Sequence, residues 1–321
     1  MTGILHLPSP AKVNLRLEIL KKRKDGYHEL RTILQKITLH DQLHFSLRKG
    51  RGISVITDHA SLPVGKDNLV YQAAESILKR SNYRGGVLIE IEKRIPLGAG
   101  LGGGSSNAAT SLEAMNQLLE VGLSRKELMR LGLQIGADVP FFFLESAAMA
   151  FGIGERLEKI VLPEVWYVLV YPNFEVSTRW AYQNFTMTRS TPPTSALEGG
   201  IENDRSVAVL SKPQESGWGG KGLTRRQLRF NLPKLLTTPK EISSLLYNDL
   251  ETVVSRKYPQ IEAMKKMLYS AGALGASMTG SGPTVFGVFS EEKRASEAYK
   301  KVKKMVRRKG WVVLNACSAP V

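Results

Sequence analysis

Cysteine is almost absent from this 321-residue chain: the single Cys317 excludes an internal disulfide and any cysteine-rich metal site. No stretch approaches the ~20 consecutive apolar residues of a membrane span, and residues 1–10 lack the apolar core of a signal peptide. The expectation is a soluble, cytoplasmic protein with no membrane partner. Internal repeats are missing as well. Acidic residues are scarce, 29 Asp and Glu against 45 Lys and Arg, leaving a net charge of +16. That deficit suits an anionic partner, nucleic acid or a phosphorylated small molecule, without choosing between them. Seven of the ten residues 300–309 are basic. Val302, Met305 and Val306 recur there at helical spacing, so this run is expected to be the solvated face of an amphipathic helix.

Glycine, by contrast, is concentrated. Gly98, Gly100, Gly102, Gly103 and Gly104 fall within seven positions and are followed by Ser105, Ser106 and Asn107. Upstream, residues 87–91 alternate as a strand does. Downstream, Ala108, Ala109, Leu112, Met115 and Leu119 keep the spacing of one buried helical face, with Ser105 and Ser106 where an N-cap is expected. Strand, glycine loop and helix N-terminus together make a phosphate seat, because free backbone N–H groups and the positive dipole end face an anion that no Cβ obstructs. The seat is not a Walker loop, since Gly104 is followed by Ser105 rather than Lys. G-A-G-L-G-G matches the letters of a dinucleotide fingerprint but lacks its first-turn context and its acidic partner.

Other residues become candidates by position. Val13, Leu15, Leu17 and Ile19 alternate as a half-buried strand, which puts Lys12 and Asn14 together on the opposite face. Asp25-Gly26 reads as a hairpin turn that presents Tyr27 and His28. Lys66-Asp67-Asn68 reads as a helix start. Asp138, among Ile135, Val139 and Phe141 to Phe143, is expected to be partly buried, and serves either as a cap before Pro140 or as a chemically employed acid. A second glycine-rich loop runs from Gly275 through Gly280 and Gly282 into a strand at Thr284, as a cleft between two domains requires. Cys317 is placed two residues beyond a predicted strand. Residues 186–238 are rich in Pro, Ser, Gly and Thr, and residues 205–240 hold eight basic side chains against one acidic. That composition predicts an insertion.

Three blocks, P-S-P-A-K-V-N-L, P-L-G-A-G-L-G-G-G-S-S-N and M-T-G-S-G-P-T, resemble the three motifs of the GHMP kinase superfamily. Within it, K-R-K-D-G-Y-H-E-L, K-D-N-L-V and I-G-A-D-V-P-F-F are similar to the branch that phosphorylates the 2-hydroxyl of a cytidyl diphosphate substrate in the non-mevalonate isoprenoid pathway. The resemblance spans nearly the whole chain outside residues 186–238. It implies an α+β, two-domain fold: a ribosomal-S5-like N-terminal half over residues 1–155 and a ferredoxin-like C-terminal half over residues 156–321. It also implies ATP as cofactor, Mg²⁺ delivered with ATP and no dedicated metal ligands. The partner it implies is a small-molecule cytidyl diphosphate rather than nucleic acid, with a monomer or weak homodimer as the expected assembly.

Carried over residue by residue, Asp138 matches the catalytic base and Lys12 the cation beside the acceptor hydroxyl. Pro96, Leu97, Gly98, Ala99, Gly100, Leu101, Gly102, Gly103, Gly104, Ser105, Ser106 and Asn107 match the phosphate loop, and Asn68 and Lys93 the nucleotide pocket. Asn14 and Gly280 fall on the acceptor side, and Tyr27 and His28 match the pair that grips cytosine. By position Thr178 contacts substrate and Tyr182 is a second aromatic on the base, within a segment, F-E-V-S-T-R-W-A-Y, that departs from the family pattern. Two other readings stay open. A homoserine or phosphomevalonate type of kinase would not need the Tyr27-His28 block. A nucleic-acid-binding protein with an S5-like half has the charge but no RNA-binding aromatic motif.

Overall fold

Strand β1 (Ile4–Lys22) and strand β2 (His28–Arg48) are joined through the Asp25-Gly26 turn and pair antiparallel along most of their length. The computed structural model describes residues 4–186 and 236–319, so most of the predicted insertion lies outside the described residues. On its second edge β2 pairs first with β5 (Ala147–Gly152), over Leu30 to Gln35, and from Gln42 onward with β4 (Gly86–Glu92). β3 (Gly52–Thr57) lies parallel to β4, and β6 (Arg156–Ile160) closes against β5. A two-residue strand β8 (Tyr247–Asn248) returns from the C-terminal half to pair in parallel with β1. The second sheet is antiparallel throughout, in the order β11 (Val312–Cys317), β7 (Trp166–Tyr171), β10 (Val285–Phe289) and β9 (Gly275–Met278).

Helices α1 (Leu69–Leu78), α2 (Gly103–Leu118) and α3 (Arg125–Ile135) cover one face of the first sheet. Ala73, Ile77, Ala108, Leu112 and Met115 share a core there with Leu43, Phe45, Ile89 and Ile91. The helix starts follow local chemistry: Asn68 accepts from the Val70 N–H, and Ser124 with Glu127 forms a reciprocal capping box. The other face of the first sheet meets the second sheet. Strand β7 shows why: Tyr167, Leu169 and Tyr171 join a core with Val13, Leu15 and Ile33, while Val168 and Val170 join a second core on the opposite face. A period of two with both faces apolar is what a strand buried between two layers requires. That second core is closed by α6 (Glu251–Lys257), α7 (Gln260–Ser270) and α8 (Glu292–Val306), with α4 (Thr178–Gln183) and α5 (Pro239–Leu245) at the junction between the halves.

Several expectations are corrected. β1 is not half-buried: Lys12, Asn14 and Glu18 are as hidden as Val13 and Leu15, because the glycine loops and polar partners cover that face. Ser105 and Ser106 do not cap α2; the cap position is Gly102 in the left-handed region, φ +73°, and both serines lie inside the first turn. Gly275 to Met278, taken as loop, is strand β9. Cys317 is the last residue of β11 rather than beyond it. Met305 is 42% exposed, so the buried seam of α8 is Ala295, Ala298, Val302 and Val306.

Candidate active site

The first glycine loop leaves β4, turns across the middle of β1, where the Lys12 N–H donates to the Leu101 carbonyl at 2.9 Å, and enters α2. Gly100 has φ +77°, and a Cβ there would come within 2.4 Å of the Thr279 carbonyl oxygen. The two glycine-rich loops therefore meet backbone to backbone, which only glycine allows at that position. A Cβ on Gly102 would press on the Lys12 side chain and Phe142, each at 3.0 Å. The first intrahelical bond of α2 runs from the Ser106 N–H to the Gly102 carbonyl at 2.9 Å. The N–H groups of Gly103, Gly104 and Ser105 precede it, and no acidic side chain stands in that first turn. Such an end is ready for an anion. At the loop's entry the Tyr171 hydroxyl donates to the Leu97 carbonyl at 3.1 Å. At its exit the Ser9 hydroxyl donates to the Ser106 hydroxyl at 2.8 Å.

Lys12 crosses beneath this loop. It is 3% exposed, a buried cation rather than a solvent-facing one. Its ammonium donates to Asn14 Oδ1 at 2.6 Å and to the Gly100 carbonyl at 2.9 Å, and stands 3.8 Å from Asp138 Oδ2. Burial pushes its pKa below the ordinary 10.5, and the charge of Asp138 opposes that shift. Asn14 is held from three sides: its N–H donates to Thr279 Oγ1 at 3.0 Å, its Nδ2 to Thr32 Oγ1 at 2.9 Å, and its Oδ1 takes Lys12. Gly280 adjoins the same ammonium, since a Cβ on it would lie 3.3 Å from Lys12 Nζ.

Asp138 is partly buried, as expected, with 44% of its side chain exposed. It precedes a 3-10 helix (Val139–Phe143), yet its side chain makes no cap hydrogen bond. The capping alternative thus loses its support, and Lys12 is its nearest charged neighbour.

Across the site, Tyr27 is 61% exposed at the end of the turn, so it is not core. The turn itself is braced by Asp25 Oδ1 accepting from the Tyr27 N–H at 3.1 Å and by an Arg23–Asp25 ion pair. Tyr182 stacks on His28, with ring centroids 5.3 Å apart and planes 29° apart, rather than standing free as a second aromatic. The Tyr182 hydroxyl is pushed above its ordinary pKa by burial and by the charge of Asp138, which places the aromatic pair within the field of the acid. Burial and Lys22 hold His28 below 6.5, so near neutrality its ring carries one donor and one acceptor. Thr178, exposed at the start of α4, shares a 2.9 Å hydrogen bond with Ser281, beside Gly280.

Two expected nucleotide contacts are otherwise engaged. Asn68 spends its amide on capping α1 and on the Pro63 carbonyl, although Leu69 then lies against the loop at Gly104. Lys93 is ion-paired with Asp41 and its side chain is 3% exposed. Asn248 was not among the expected site residues: its Nδ2 donates to the Met278 and Gly280 carbonyls at 2.7 and 2.8 Å, holding the second loop. Asp41 was missed as well. Its signal was an acid at a position where Ile37, Leu39, Leu43 and Phe45 set an inward apolar alternation.

A glycine loop opening onto a helix N-terminus, a buried cation and a half-exposed acid meet here, and the chain belongs to the GHMP class of small-molecule kinases. Residues 68–146 match the model of the GHMP kinases N terminal domain and residues 232–308 that of the GHMP kinases C terminal domain. More narrowly, the chain belongs to the 4-diphosphocytidyl-2-C-methyl-D-erythritol kinase family. It is 41% identical to the enzyme of that name from Syntrophus aciditrophicus over 92% of this chain and 93% of the relative. It is 40% identical to the one from Citrifermentans bemidjiense over 96% of each. Among solved structures, a 4-(cytidine 5'-diphospho)-2C-methyl-D-erythritol kinase superposes with a TM-score of 0.72 at 30% identity, covering 98% of this chain and 100% of that one. A homoserine kinase from Cytophaga hutchinsonii superposes with a TM-score of 0.70 at 21% identity, covering 99% of this chain and 95% of that one, a likeness of fold alone. The α+β, two-part GHMP kinase fold and ATP-dependent phosphotransfer follow from this membership. No helix among the described residues is long and apolar enough to cross a membrane.

Proposed function

We propose that this protein transfers the γ-phosphoryl group of ATP to the 2-hydroxyl of 4-diphosphocytidyl-2-C-methyl-D-erythritol. The observation that carries the reading is the convergence of Lys12, Asp138 and the N-terminus of α2 at the mouth of the first glycine loop. An alcohol is a poor nucleophile at neutral pH, so Asp138 takes its proton as the oxygen attacks phosphorus. The Lys12 ammonium, fixed by Asn14 and Gly100, stabilises the negative charge on the attacking oxygen and the transferred group. Residues 96–107 cradle the phosphates, with the N–H groups of Gly103, Gly104 and Ser105 toward the anion.

Among the described residues no group of three or more His, Cys, Asp and Glu gathers as a metal site. Mg²⁺ keeps several waters and takes one or two carboxylates together with substrate phosphates. An ion carried in on ATP would be held mainly by the substrate phosphates at the N-terminus of α2 and would neutralise their charge, leaving Asp138 free to accept the proton. Lys12, Asp138 and the first turn of α2 meet within one subunit, an arrangement that a monomer or weak homodimer can supply; a cytoplasmic location and a small-molecule rather than nucleic-acid partner complete the reading.

Recognition of the cytidyl group falls to Tyr27 and His28. Tyr27 offers a solvent-facing ring, and neutral His28 offers one donor and one acceptor to the edge of a pyrimidine. Base stacking on an aromatic contributes roughly 1–3 kcal/mol, so Tyr27→Ala should raise KM for the cytidyl substrate about 5- to 100-fold and leave the ATP KM nearly unchanged. Equal effects on both substrates, or on neither, would withdraw the cytidyl assignment and leave only the broader kinase class.

A further inference from the structure

Strand β2 carries a carboxylate that the chemistry above does not use. Asp41 is 0% exposed and lies where β2 has left β5, after Gln35, and begins to pair with β4, at Gln42. Its Oδ1 accepts from the Arg94 and Ile95 N–H groups, both at 2.8 Å. Its Oδ2 accepts from Asn107 Nδ2 at 3.0 Å and from the Lys93 ammonium. These donors sit on the two ends of the phosphate loop: Arg94 and Ile95 where it leaves β4, and Asn107 at the start of the second turn of α2. Asn107 Oδ1 is buried and finds no partner among the described residues, so the bond to Asp41 is the side chain's hydrogen-bond anchor there.

We propose that Asp41 is the positioning residue of the phosphate loop: one buried carboxylate ties the loop's entry to its exit and so sets how tightly the site grips the phosphates of ATP. The inference rests on the reading that this loop holds ATP. A fully desolvated carboxylate persists only when its charge is matched and its oxygens are satisfied, and here one ammonium and three neutral donors do both. Lys93 thereby acquires a different role from the direct nucleotide contact expected of it. Its side chain is hidden and its charge is spent on Asp41, next to Gly103. Asn at position 41 can accept at only one atom, and its amide N–H₂ would face either the two backbone N–H groups or the Lys93–Asn107 pair. In both cases one end of the loop is released while residues that touch the cytidyl substrate stay in place.

The test is calorimetric titration of MgATP, and separately of the cytidyl substrate, into the wild type, Asp41→Asn and the double variant Asp41→Asn/Lys93→Met. The double variant removes the lysine charge that Asp41→Asn strands in the interior, and keeps the comparison readable if the single variant fails to fold. For folded variants we expect the Kd of MgATP to rise 10-fold or more and that of the cytidyl substrate to stay within 2-fold, with KM values splitting the same way. Unchanged MgATP affinity, or both affinities falling together with the melting temperature, would overturn the positioning role and make Asp41 a plain core acid. Failure of the wild type to bind MgATP would instead overturn the reading of the loop itself.

Discussion

An Asp138→Asn enzyme keeps the shape of the site and loses its proton acceptor. The side chain is 44% exposed, makes no cap bond, and has Lys12 at 3.8 Å as its nearest charged neighbour. The acid is half-exposed and the buried Lys12 keeps Asn14 Oδ1 and the Gly100 carbonyl as partners, so losing this 3.8 Å contact should cost about 1–2 kcal/mol and move the melting temperature by no more than ~8 °C. The first turn of α2 is untouched, and ATP binding should hold within a few-fold. Turnover should fall by ~10²- to 10⁴-fold, the scale of losing a general base. A second effect has a definite sign. Burial lowers the Lys12 pKa and the charge of Asp138 raises it, so the variant's Lys12 falls further below 10.5 and any residual activity loses its alkaline limb at lower pH than in the wild type. The assay is ADP release under saturating substrates across pH, alongside thermal melts. Turnover within a few-fold of wild type would remove Asp138 from the chemistry, and a collapse in melting temperature would make it a structural residue.

Gly100→Ala should impair folding or raise the ATP KM at least ~10-fold, because a Cβ 2.4 Å from the Thr279 carbonyl must push the two loops apart. A variant with normal melting and normal ATP kinetics would contradict the loop contact. Lys36 donates to the Phe142 and Leu144 carbonyls at 2.7 and 2.5 Å, and burial lowers its pKa to about 8 from 10.5. Below pH ~8 both folded and unfolded chains hold that proton; between about 8 and 10.5 the unfolded chain binds more, so wild type should gain on Lys36→Met by on the order of 3 kcal/mol as pH rises through that window. A stability difference between the two that is flat from pH 7 to 10 would refute the shift. Replacing residues 205–227, which lie outside the described residues, by a short Gly/Ser linker should leave turnover within a few-fold. Lost activity in a folded product would mean that those arginines reach substrate.

The parts of the fold legible in sequence were those fixed by local chemistry. Asn68 announced its helix because a cap is a bond between near neighbours, and the Ser124–Glu127 box is local in the same way. The first glycine loop stood out because positive φ at Gly98, Gly100 and Gly102 admits little else. What escaped depends on partners far along the chain. Gly275 to Met278 shows no apolar alternation and becomes a strand only by pairing with β10. Asp138 was expected among phenylalanines, but Phe141 to Phe143 turn into the core of the first half while the acid faces the open site. The brace at Asp41 joins residues more than fifty positions apart, so no window of sequence displays it.

The most direct measurement supplies the purified protein with MgATP and, in turn, 4-diphosphocytidyl-2-C-methyl-D-erythritol, homoserine and phosphomevalonate, following ADP release and the new phosphorus signal by ³¹P NMR. The expected result is stoichiometric ADP and a phosphomonoester on the 2-hydroxyl of the cytidyl substrate, with kcat/KM for the other two lower by at least ~10³-fold, the discrimination that unpaired polar groups in a substrate pocket impose. Preferential phosphorylation of homoserine or phosphomevalonate, or ADP release independent of any acceptor, would contradict it.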